Sequence, residues 1–132
     1  MLVEAKSLGN ALGNTSLAYA FYGCKKLTEV SSILPNTVTS LARTFYYASV
    51  FNQDIGNWDT SKVTNMRAMF SYTNLFNQDI SNWNVSSCSN FSNMFDHAYA
   101  FNQDIGNWKL RSAGATMTNM FSNASAWSTQ SA

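Results

Sequence analysis

Apolar residues recur along this chain every three or four positions, and the whole pattern returns every 25 residues. The segment Phe51-Asn-Gln-Asp-Ile55-Gly-Asn-Trp58 is followed by Phe76 to Trp83 and Phe101 to Trp108, differing only where Ser81 stands for glycine. A second block repeats in step: Val63-Thr-Asn-Met66-Arg-Ala-Met69-Phe70, Cys88-Ser-Asn-Phe91-Ser-Asn-Met94-Phe95, and Met117-Thr-Asn-Met120-Phe121, the last displaced by one residue. The interval from Phe95 to Phe121 is 26, so one residue is inserted near Ala113-Gly114. Upstream, Val38, Leu41, Phe45, Ala48 and Phe51 match Val63, Met66, Phe70, Thr73 and Phe76, and Phe21, Cys24 and Leu27 lie one shorter period of 24 earlier.

Units this short cannot bury a core alone, so their apolar side chains must meet those of neighbours in a stack. Gly56, Asn57 and the Asp59-Thr-Ser61 cluster interrupt every circuit with turn chemistry and exclude one continuous helix. The pattern predicts a short strand over 51–55, with counterparts over 27–30, 76–80 and 101–105, joined in a parallel sheet. The helical or 3₁₀ spacing of Val63 to Phe70 predicts the opposite wall. The expected fold class is an α/β or mainly β repeat solenoid, a single domain over 1–132. Its parts are a partial first turn over 1–20, repeats 21–44, 45–69, 70–94 and 95–120, and an incomplete last turn over 121–132.

Hydrophobic residues make up 45% of the 132 and charged residues only 11%, with a net charge of +1. That charge gives no field to steer a polyanion, which argues against nucleic acid as a partner. No apolar run reaches the roughly 18 residues of a membrane span. The first seven residues lack the basic and apolar regions of a secretory signal. Cys24 and Cys88 fall in different interior phases more than two turns apart, so free buried thiols are expected.

The upstream stretch Ala20-Phe21-Tyr-Gly-Cys24-Lys-Lys-Leu27-Thr-Glu-Val30, followed by Ile33, Pro35 and Val38, resembles the BspA-type leucine-rich repeat. The downstream Phe-Asn-Gln-Asp-Ile-Gly-Asn-Trp and Thr-Asn-Met blocks resemble the related repeat of BspA-like surface proteins and lipoproteins. Together they cover roughly residues 20 to 127. The resemblance implies a right-handed leucine-rich-repeat-like coil on a secreted or cell-surface protein, associated with adhesion and protein binding, and it brings no catalytic residue.

Several repeated positions are candidates for chemistry. Asp54, Asp79 and Asp104 share one phase, which stacks carboxylates roughly 5 Å apart and invites either local hydrogen bonds or a bound cation. Asn52, Asn77 and Asn102 form one possible amide ladder, Asn57, Asn82 and Asn107 another, and Asn65, Asn90 and Asn119 share the Thr-Asn-Met phase. These columns read as structure or, alternatively, as a polar surface for glycans. Trp58, Trp83 and Trp108 form either a buried ladder or an exposed binding strip. His97, the only histidine, stands with no motif-placed nucleophile, so no catalytic triad follows. Asn14, Asn84, Asn90 and Asn123 begin Asn-x-Ser/Thr triplets, which arise readily in a chain this rich in Asn and Ser.

Nothing here places a nucleophile beside a base, a phosphate loop or a cofactor motif, so a non-enzymatic chain without cofactor is expected. The leading expectation is a protein-interaction or adhesion module using the phases that vary between repeats: Tyr46, Tyr47, Tyr72, His97 and Tyr99. The alternative is a structural subunit docked in a larger assembly or stacked end to end. The adhesion reading goes with a secreted or surface location, the other with an intracellular or membrane-associated assembly.

Overall fold

The computed structural model describes residues 15–128. The N-terminal reading, Val3 of the partial first turn, Asn14 and the tail of the last turn lie outside the described residues. Among those described, the backbone is almost wholly turns, and α1, Ser125–Ser128, is the one helix.

Successive units are joined by a repeating hydrogen-bond pattern. Between 41 and 48, the N–H groups of Leu41, Arg43, Phe45 and Tyr47 donate to the carbonyls of Asn65, Arg67, Met69 and Ser71 at 2.8 to 3.0 Å. The intervening N–H groups of Thr44, Tyr46 and Ala48 turn back to carbonyls three residues earlier, those of Leu41, Arg43 and Phe45. The same alternation runs through 66–73 and 91–98. It is obtained by placing two residues per unit in the left-handed region, such as Arg43 at φ 54° and Tyr47 at φ 61°, the geometry of a tight turn's third residue.

This pattern overturns the expected solenoid with a parallel strand in each turn. No strand forms over 51–55 or its counterparts, no sheet is present among the described residues, and 63–70 is not a helix. The parallel pairing consists of isolated bridges linking Ser16, Ser40, Asn65, Asn90 and Thr116, in the block assigned to the helical wall. A strand ladder needs consecutive extended residues, and the left-handed residues with their inward-turned N–H groups end each pairing after one bridge.

At 51–55 side-chain amides replace backbone pairing. Asn52 Oδ1 accepts the Asn77 N–H at 2.8 Å, and Asn77 Oδ1 accepts that of Asn102 at 2.9 Å. Gln78 and Gln103 Nε2 donate to the Asn52 and Asn77 carbonyls at 2.9 and 3.1 Å. Gln53 likewise exchanges two bonds with the backbone of Val30.

The core is built on aromatic columns. Phe21, Phe45, Phe70, Phe95 and Phe121 stack in near-parallel planes with centroids 5.4 to 5.7 Å apart. Phe51, Phe76, Phe101 and Trp127 form a second column at 5.9 to 6.1 Å. Within a unit the two columns touch at about 4 Å, as between Phe70 and Phe76 at 4.1 Å. Cys24 and Cys88 are buried free thiols whose pKa values burial pushes upward, which keeps them protonated.

The bridges are 24, 25, 25 and 26 residues apart. The longest interval contains Gly114, whose φ of +85° suits a residue without Cβ. This register also moves Asn119. It is Thr116 that pairs with Asn90, while Asn119, at φ 55°, takes the phase of Asn93 and Ala68. The Phe95–Phe121 stack sets that register, because shifting it would unstack the core.

Candidate functional site

The residues that vary between repeats come together on one face. Tyr47, Tyr72 and His97 form a stacked column with centroids 4.4 and 4.3 Å apart. Tyr46 meets Tyr47 edge-on at 4.9 Å and stacks on Tyr22 at 5.0 Å, while Tyr99 stands edge-on to His97 at 5.8 Å. The five varied candidates are thus one strip, extended by Tyr22 and Tyr19, which lie 5.5 Å apart. Tyr19, Tyr22, Tyr47 and Tyr99 are exposed, Tyr46, Tyr72 and His97 half-buried.

The strip rests on unusual backbone. Tyr19, Tyr47, Tyr72 and His97 all have φ between 59° and 63°. Left-handed backbone costs a residue with a large side chain roughly 1–2 kcal/mol, which Gly avoids and Asn lessens. Tyr19 shares its phase with Arg43, whereas the phase of Tyr47, Tyr72 and His97 holds Gly23 at one end and Asn123 at the other, so the middle turns keep rings where cheaper residues fit.

Partial burial, followed by the neighbouring Tyr47, raises the pKa of both the Tyr46 and the Tyr72 hydroxyl. Both therefore stay protonated at neutral pH and serve as donors. His97 Nδ1 lies 2.6 Å from Asp96 Oδ1, whose other oxygen accepts from Asn93 Nδ2 at 3.4 Å.

Beside the strip is a notch of about 210 Å³. Ala68 and Ser71 are the small residues in it, and Arg43 with Tyr46 in the turn before and Asn93 with Asp96 in the turn after are its larger neighbours; Arg67 also lines it. Sequence reasoning singled out Tyr46 but passed over Tyr19, Tyr22 and the other notch residues. Tyr22 was legible as the counterpart of Tyr46 one period earlier, but the arginines sit in phases that other units fill with uncharged residues.

The repeated columns are scaffold. Trp58 and Trp83 are 3% exposed, and their indole N–H groups donate to the carbonyls of Ser31 and Ile55 at 3.1 and 3.0 Å. Trp108 is half-buried and donates to the Ile80 carbonyl at 3.0 Å. The exposed tryptophan strip is therefore absent, because each indole N–H must reach a carbonyl of the preceding unit.

Asp54, Asp79 and Asp104 are exposed, and each Oδ1 accepts the N–H two residues ahead at 2.8 to 2.9 Å. The Ser81 hydroxyl and then its amide hold the Asp79 carboxyl below its ordinary pKa. Each carboxylate of the column thus closes its own turn, and among the described residues no three His, Cys, Asp or Glu side chains converge as metal ligands.

Asn65 and Asn90 cap their own turns, accepting from the N–H groups of Arg67 and Ser92. Asn57, Asn82 and Asn107 are exposed and no side-chain bond joins them into the expected ladder. Of the glycosylation triplets, Asn84 and Asn123 are exposed and Asn90 is half-buried.

No helix among the described residues is long and apolar enough to cross a membrane. No curated protein and no solved structure matches the chain. One family model does match, over residues 15–132, and the chain accordingly belongs to the family described as Mycoplasma protein of unknown function, DUF285.

Proposed function

We propose that this chain is a non-catalytic protein-interaction or adhesion module of the BspA-like surface kind, secreted or displayed on a cell surface. The observation that carries this reading is the continuous strip of Tyr19, Tyr22, Tyr46, Tyr47, Tyr72, His97 and Tyr99. Tyrosine supplies a large, rigid contact area with a polar tip, which is why it is enriched where proteins bind. Rings kept on left-handed backbone support the same reading, since strain concentrates where function needs it.

The test is binding of the chain to an array of extracellular proteins and glycans, beside the double variant Tyr47→Asn/Tyr72→Asn. Asparagine already occupies this phase at Asn123, so the variant keeps the fold. A tenfold or greater loss is expected for a protein target. Binding indifferent to the variant, or confined to glycans, overturns the reading.

A second reading, a structural subunit that self-associates, is favoured by an apolar cleft of about 380 Å³ among Ile105, Trp108, Leu110, Met117, Phe121 and Trp127. Sedimentation separates the two: concentration-dependent growth lost in Leu110→Ser favours the subunit.

A further inference from the structure

The notch beside the ring strip has a charge pattern of its own. Arg43 and Arg67 line it from adjacent units, tied by the Arg43 N–H to the Arg67 carbonyl at 2.8 Å. The carboxylate in the notch, Asp96, is already engaged by His97 Nδ1 and Asn93 Nδ2. Among the described residues, that contact is the one approach of a His, Lys or Arg nitrogen to a carboxylate within ion-pair distance, and neither Arg43 nor Arg67 pairs with a described carboxylate. Arg43 Nη1 donates to the Tyr19 hydroxyl at 3.0 Å and its guanidinium lies 5.4 Å from the Tyr19 ring centroid, so one side of the group is held against the strip and its remaining donors are available to the notch.

Two arginines and one aspartate leave the lining one negative charge short of neutral. Planar guanidinium forks match a carboxylate. A doubly charged phosphate is disfavoured, because it would bring excess negative charge beside Asp96. Resting on the interaction reading above, we propose that the notch receives a single acidic side chain, Asp or Glu, from the protein that lies across the ring strip. The rings supply area and the arginine pair sets the register of the partner, since exposed charge pairs contribute more to orientation than to affinity.

The test is an amide NMR titration of the full chain with two acetylated, amidated peptides, Tyr-Gly-Glu-Gly-Tyr and Tyr-Gly-Gln-Gly-Tyr. The glutamate peptide is expected to shift the amides of Arg67, Ser71 and Asn93 and to bind roughly fivefold tighter than its glutamine twin, a difference that shrinks as salt rises. Arg67→Gln should remove that difference. So should Ser71→Tyr, which fills the notch with the ring that the same phase already carries at Tyr46, and thermal melts establish that both variants fold. Equal binding of the two peptides overturns the notch, as does a discrimination that Ser71→Tyr leaves intact. Shifts confined to Tyr47, Tyr72 and His97 overturn the notch and leave the ring strip standing. Absence of any shift overturns the notch too, and the array experiment then judges the strip by itself.

Discussion

The phenylalanine columns and the outer ring strip both run along the stack, yet they treat substitution in opposite ways. Phe21, Phe45, Phe70, Phe95 and Phe121 are the same residue in every turn, buried or nearly so. The outer phase passes from Gly23 through Tyr47, Tyr72 and His97 to Asn123, in left-handed backbone throughout. Inside, each ring must fill the same space between identical neighbours, so close packing admits one residue. Outside, the backbone needs only a tolerated φ, and the side chain is free to serve something else. Between these two phases, repetition marks the packed interior and variation marks the outer face.

The largest expected effect tests the inner side. Phe70→Ala opens a cavity touching Phe45, Phe76, Trp83 and Phe95 and should cost about 3–5 kcal/mol in denaturant unfolding. Trp83→Phe keeps a ring but leaves the Ile55 carbonyl with the Trp58 N–H as its one remaining donor, at a cost of about 0.5–1.5 kcal/mol by the same measurement. Asn77→Ala removes the acceptor of the Asn102 N–H and of Gln103; at this exposed site about 1 kcal/mol is expected.

Tyr47→Gly should separate the two sides. Relief of left-handed strain, about 1 kcal/mol, offsets a lost ring contact of about 0.5–1.5 kcal/mol, so stability should barely move while binding to the strip's target collapses. A loss as large as that of Phe70→Ala would make the strip part of the scaffold.

The smallest effect concerns pH. The folded-state pKa of Asp79 is depressed, so its contribution is present above the ordinary carboxylate value and lost as pH falls through the folded one. Melting temperatures taken from pH 6 down to pH 3 should fall slightly less in Asp79→Asn than in the intact chain.

The period, its short first interval and the longer last one were legible as spacings between phenylalanines. The strand at 51–55 was not what it looked like, because a short polar stretch between two buried apolar residues, Phe51 and Ile55, suits an extended segment whether its polar bonds come from backbone or from amides. Spacings of three over 63–70 resemble a helix because turns closed at i−3 repeat with the same step. The Asn119 register was misread since a matching Thr-Asn-Met triplet outweighed, on paper, a phenylalanine stack that exists only in space.

Taken alone, the sequence determined which residues repeat, how long the units are and that their apolar positions must meet between units, because no unit of 25 residues encloses a core. Tertiary structure decided everything that depends on which partner a polar group finds. Indole N–H groups reached carbonyls in the unit before and turned Trp58 and Trp83 into rungs, asparagine side chains displaced a strand, and left-handed turns gathered the tyrosines with His97. Hydrogen bonds between residues some 25 positions apart made those choices, and such bonds leave no mark in local sequence.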